Sequence, residues 1–193
     1  GAGDAVRFLA EAGVRVGNPL TLRIVDKLPQ PVSDTAGGCY LHASQVAYVR
    51  RQSGCTPDAT PFGLPVDAAL YRSIIVHEVA HAIAGASFAT RRPPVVAHEY
   101  VAYVTQLATM PDALRRRILR RYADVTYTSI DQLNTMVFMM DPARFAVLAW
   151  LHHQRQGAAA RAAHQVEAGE PASERDARAG QERAGEGERQ EGG

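Results

Sequence analysis

Ile74-Ile75-Val76-His77-Glu78-Val79-Ala80-His81-Ala82-Ile83 is the stretch on which the reading of this chain turns. It is apolar apart from two histidines and one glutamate, and it is too long and too rich in Ala, Ile and Val at helical spacing for a loop. As a helix it places His77 and His81 one turn apart on a single face. Glu78 then lies about 100° around the axis from His77. Two imidazoles so arranged can bind one metal ion, and the glutamate can reach a water held there. The uncharged flanks suit a buried helix. Two histidines one turn apart are an unusual choice for such a helix unless they hold something.

Outward from this stretch, Asp67 can cap the helix, and Gly85 reads as its stop after about Ala84. Arg91-Arg92-Pro93-Pro94 breaks the chain, and a second helix spans about Val95 to Thr109, ending before Pro111. Three further helical stretches follow, near 112–122, 129–139 and 142–155. Upstream, Ala5 to Ala12 reads as a short helix ended by Gly13. Leu20 to Val25 alternates as a strand. Cys39 to Leu41 and Val46 to Val49 read as two more, paired as a hairpin after the Gly37-Gly38 turn. Residues 54–65 are loop. Strands first and helices afterwards give an α+β fold.

The bulk properties agree with one domain. The chain has 193 residues, 46% hydrophobic and 21% charged, an ordinary globular composition. No run of 18 apolar residues exists to span a membrane. The net charge of +1 argues against a nucleic-acid partner. The catalytic-type domain is read as 1–156. Residues 157–193 hold five arginines, eight acidic residues and Val166 as their sole large aliphatic side chain, so they read as a disordered tail, with a solvated helix over 158–168 as the other option. Cys39 and Cys55 flank a turn-rich segment that a disulfide would close. That pairing, and a start without methionine, suggest an extracytoplasmic chain, periplasmic or secreted.

A catalytic metal site needs a third protein donor and an open fourth position. Glu99, 18 residues after His81, lies in the first turns of the next helix with no lysine nearby to pair it. A carboxylate there wants a cation. His98 is the other candidate and points about 100° away from Glu99. Candidate donors to a developing oxyanion are Tyr100, Tyr103, Tyr127, His152 and His153, although a helix C-terminus explains the last two more simply. Arg115 to Arg121 reads as the solvated face of an amphipathic helix, and Met136 to Met140 as core filling.

With H-E-x-x-H at 77–81 and a glutamate on the following helix, the chain resembles the gluzincin zinc metallopeptidases. It is also similar to small bacterial proteins, presumed metallopeptidases, carrying V-H-E-x-A-H-A followed by H-E-Y-x-A-Y. The resemblance covers about 67–109 in motif and 20–155 in element order. It implies a zincin-like fold, with a short sheet packed on the active-site helix. It implies Zn2+ on His77, His81 and Glu99, Glu78 as general base, and a peptide or protein substrate laid along a strand near Gln45 to Val49. The thermolysin-like members place an aspartate four residues after the ligand glutamate, to orient the first histidine. This chain has Tyr103 there. A non-catalytic zinc-binding module on the same scaffold is the alternative.

Overall fold

The computed structural model describes residues 1–14, 20–88 and 93–167, with the side chains of 86 and 161–167 excepted. The chain divides after His153. The architecture below is that of the first unit, and of the second the described part is a helical stretch up to Glu167.

The described residues form a three-stranded sheet and six α-helices, an α+β fold. α1 spans Ala2–Glu11 and ends where Gly13 takes a positive φ of 79°. β1 (Thr21–Val25), β2 (Gly38–Leu41) and β3 (Val46–Arg50) form the sheet in the order β1-β3-β2. β3 runs parallel to β1 and antiparallel to β2, with Tyr48 opposite both Arg23 and Cys39. The strand near Gln45–Val49 is therefore the central one. Both its edges are paired, so it cannot accept a further strand, contrary to the sequence expectation. Among the described residues, the unpaired edge beside the helices belongs to β2.

α2 (Ala68–Ser87) carries the two histidines. The Asp67 carboxylate caps it, accepting from the Leu70 amide at 2.8 Å. The helix runs through Gly85 instead of stopping there. The missing side chain serves a different end: a Cβ at Gly85 would stand 3.2 Å from His42 Cε1. The helix is apolar around most of its circumference because neighbours cover it on several sides. Ala5 and Leu9 of α1 pack on its Val76, Val79, Ala80 and Ile83. The sheet, whose Ala47 and Val49 are fully buried, covers another face.

α3 (Val95–Thr109) packs along α2 and brings Ala102 into the same cluster. Its other side joins α4 (Asp112–Arg121), α5 (Thr135–Met140) and α6 (Pro142–Glu167) around Leu107, Ile118, Phe145 and Leu148. Phe62 and Leu64, from the loop before α2, close this core. α4 is amphipathic as expected, with Leu114 and Ile118 inward. Arg115, however, leaves the solvated face: it donates to the Leu107 carbonyl at 3.0 Å and lies 5.1 Å from the Trp150 ring.

Three further sequence expectations change in the structure. The 129–139 helix is split into a 3-10 turn over Ile130–Gln132 and the six-residue α5, because Ser129 and Gln132 close a capping box and Asn134 then starts a new helix. Met136, Met139 and Met140 do not fill the core; they are 67%, 71% and 79% exposed. On so short a helix only Val137 and Phe138 turn inward, where Phe138 stacks on Phe145. Cys39 and Cys55 are free thiols. Cys39 faces the cleft near Glu78, whereas the Cys55 thiol turns toward the Arg50 and Arg51 carbonyls, so the disulfide argument for an oxidising compartment does not hold. The helix α6 continues through 157–167, where alanine dominates. The remainder of the expected tail lies outside the described residues.

Candidate metal centre

The packing of α3 on α2 decides where Glu99 goes. Its carboxylate oxygens lie 3.6 Å from His77 Nε2 and 3.6 Å from His81 Nε2. The two Nε2 atoms stand 3.0 Å apart. One donor atom from each of the three residues falls within 4.8 Å of the others, and together they could hold a metal ion. The three side chains are only 12–15% exposed. His98, the other candidate for third donor, is not in this group. It turns toward His42 and Phe88, its ring centroid 4.8 Å and 4.7 Å from theirs.

The protonation states favour a cation. Burial holds the His77 imidazolium down to about 4, with the bond to Gln106 partly offsetting it. His81 is held well below the usual histidine range by burial and then by His77, His98 and His42. Both rings are therefore neutral near pH 7, each with a lone pair to offer. Burial pushes the Glu99 carboxyl up to about 7. Two neutral imidazoles and a desolvated carboxyl around one point form a site that a divalent ion would relieve.

The first histidine is oriented by a residue that carries no motif in the sequence. Gln106 Oε1 lies 3.1 Å from His77 Nδ1. The Ser73 hydroxyl donates to the Leu70 carbonyl at 2.8 Å, so its oxygen accepts from Gln106 Nε2 at 3.1 Å. That leaves Oε1 as the acceptor facing His77. The ring then carries its proton on Nδ1 and aims the Nε2 lone pair at the centre. Tyr103 stands where the thermolysin-like pattern has its aspartate, and it plays another part. Its ring packs 4.5 Å from that of His77 as a wall, and burial, with Glu99 and Glu78 nearby, keeps its phenol protonated. Gln106 sits seven residues after Glu99, two helical turns on the same side. That spacing was the available signal.

Glu78 is 6% exposed, and its Oε2 has no hydrogen-bond partner among the described residues. Burial, then Glu99, raises its pKa well above the ordinary carboxyl value. Gly38 of β2 makes room for it. A Cβ at Gly38 would lie 2.6 Å from Glu78 Cγ and 2.8 Å from its Oε1. In the sequence this glycine reads as a turn residue; in the structure it is a strand residue whose missing side chain lets the strand pass over the glutamate.

These groups line a cleft of about 590 Å³. Gly38 and Tyr40 of β2, Thr60 of the loop before α2, His98 of α3 and Phe138 of α5 share its walls. The Arg50 backbone amide donates to the Gly37 carbonyl at 2.8 Å, which fixes the antiparallel alternation. The amide and carbonyl groups of Gly38 and Tyr40 therefore point away from the sheet along its free edge. Of the expected oxyanion donors, only Tyr103 lines this cleft. Tyr100 is bonded to His152 at 2.8 Å, Tyr127 stacks on the same histidine, and His153 packs on Phe8 and Trp150.

The chain belongs to the family of unknown function DUF6639. The match covers residues 1–176, and so includes the whole of the site. No curated protein and no solved structure matches the chain. Among the described residues, no helix is long and apolar enough to cross a membrane.

Proposed function

We propose that the chain is a zinc-dependent metallopeptidase, gluzincin-like in its donor set and zincin-like in its scaffold, that hydrolyses peptide bonds. The observation that carries this reading is the pairing of a three-donor cluster with a buried, unpartnered carboxylate oxygen on Glu78 in one open cleft. Two histidine nitrogens and a carboxylate oxygen suit zinc, which when bound supplies Lewis-acid polarisation of a carbonyl and acidification of water.

The remaining work falls to the chain. His77, His81 and Glu99 hold the ion, with Gln106 fixing the His77 tautomer. Glu78 accepts the proton of the attacking water on its free oxygen and returns it to the leaving amine nitrogen. The outward amide and carbonyl groups of Gly38 and Tyr40 can pair with an extended peptide, so the substrate strand adds to β2. The alternative, a zinc-binding module without catalysis, gives no use to the Glu78 oxygen or to the glycine that shelters it.

The test is elemental analysis beside hydrolysis of labelled casein. The wild-type chain should hold one zinc, and His81→Ala should lose it. Glu78→Gln should keep the zinc and lose hydrolysis by about 10²–10⁴-fold, the usual contribution of a general base. Undiminished activity in metal-replete Glu78→Gln protein would remove the mechanism.

A further inference from the structure

Among the described residues, three buried side-chain polar atoms lack a hydrogen-bond partner: Thr60 Oγ1, Glu78 Oε2 and His98 Nδ1. The residues that carry them, Thr60, Glu78 and His98, all line the same cleft. Folded proteins leave few such groups, because a buried donor or acceptor without a partner destabilises the free chain. Three of them gathered in one cavity mark it as a receptor for polar atoms. Glu78 already has its use. Thr60 and His98, 6% and 8% exposed, do not, and neither belongs to the metal-donor group.

Their positions follow the strand. Thr60 comes directly after Ala59, whose carbonyl oxygen lies 2.6 Å from where a Cβ of Gly37 would stand, just before β2. Glu78 lies under Gly38. His98 packs against His42, the residue that follows β2. The two unpartnered groups thus bracket the strand, with the base between them. The outward amide and carbonyl groups of Gly38 and Tyr40 run along the same edge.

We propose that Thr60 and His98 are substrate-binding residues, which hydrogen-bond the backbone amide groups of an extended polypeptide on either side of the peptide unit presented to Glu78. The Thr60 hydroxyl can donate to a carbonyl or accept from an N–H, and so can a neutral His98 ring. Only the position of the cleaved bond rests on the metallopeptidase reading; the polypeptide site does not.

Two near-isosteric variants test the proposal. Thr60→Val removes the hydroxyl, and His98→Phe removes both ring nitrogens while keeping the stack on His42 and Phe88. Each is made in the zinc-loaded Glu78→Gln chain, where turnover does not confuse binding. Affinity for fluorescein-labelled unfolded casein is then read by anisotropy, with zinc content and Tm alongside. Each variant should weaken casein binding by about 10-fold and keep one zinc, and Thr60→Val should raise Tm by ~2–4 °C, because an unsatisfied hydroxyl has gone. Unchanged affinity overturns the assignment for that residue. So does a fall in Tm for Thr60→Val, which would mean a structural hydroxyl, or loss of zinc in His98→Phe, which would make it a ligand. Absence of casein binding by the Glu78→Gln chain overturns the whole proposal. If casein binds, both variants weaken it and wild type cuts nothing, the metallopeptidase reading fails and the polypeptide site stands.

Discussion

Gln106 Oε1 faces His77 Nδ1 at 3.1 Å across the α2–α3 interface, held in that orientation by the Ser73 hydroxyl behind it. An amide here does the orienting work of a carboxylate without adding a charge. The difference matters because the site already contains Glu78 and Glu99, both buried and both raised in pKa. A third carboxylate next to them would raise the cost of ionising the set. Gln106 fixes the tautomer and leaves the net charge to Glu99 and Glu78.

This relationship predicts the behaviour of Gln106→Leu. The residue is 3% exposed, so leucine fills similar space. His77 Nδ1–H and Ser73 Oγ then lose their partner, and the ring is free to turn. Zinc affinity should fall by about 10–100-fold, the usual effect of removing a group that orients a ligand. Competition with a chromophoric chelator measures it. Equal affinities for wild type and variant would mean that packing against Tyr103 alone holds the His77 ring.

Gly38→Ala is the second prediction. Its Cβ would stand 2.6 Å from Glu78 Cγ, a separation that cannot persist. Either the glutamate or β2 must move, and neither carries a metal donor. Zinc content should stay at one per chain. Casein hydrolysis should drop by about 10²-fold, since a misplacement of about 1 Å costs that much. Zinc lost together with activity would show that the strand supports the donor cluster as well as Glu78.

Much of this was legible in the sequence, for identifiable reasons. The H-E-x-x-H spacing, the Asp67 cap and the chain reversal before Val95 are local signals, and they led to His77, His81 and Glu99 as a set. The strands were legible too, but their order was not. The β-branched and aromatic residues of Val46–Val49 read as a strand; they do not show that β1 pairs with it in parallel and takes the edge away. Gly38 and Gly85 look like turn and stop signals because the reason for a small residue at each is a side chain distant in sequence, Glu78 in one case and His42 in the other. Thr60 carries no motif at all; only its burial and lack of a partner mark it.

The methionine run supplies a stability prediction. Core filling would make Met139 and Met140 costly to replace, whereas their side chains are largely in solvent. Met139→Gln with Met140→Gln should change unfolding free energy by less than about 0.5 kcal/mol, as for surface substitutions. Phe138→Ala, which removes the ring stacked on Phe145 at 5.6 Å, should cost about 2–3 kcal/mol. Urea denaturation distinguishes the two. A loss above 2 kcal/mol in the double methionine variant would put those side chains in a packed environment after all.

Metal uptake should depend on pH through one carboxyl and not through the histidines. Ligands must lose their protons before they bind. His77 is held down to about 4 by burial and His81 well below its usual range, so both rings are already neutral at pH 5–6. Glu99, pushed up to about 7 by burial, still carries its proton there. Between pH 5 and 7 the entering ion must displace that proton, so affinity rises about tenfold per pH unit; above 7 the carboxylate is already ionised and the curve flattens. Glu78→Gln is the protein to use, because it leaves Glu99 as the only carboxyl of the pair. A zinc-affinity series from pH 5 to 8 should show a slope of one proton, bending near 7. A slope of two that bends near 6.5 would mean ordinary, hydrated histidines and an ionised Glu99, and with them a far more open site than the cleft between α2 and α3.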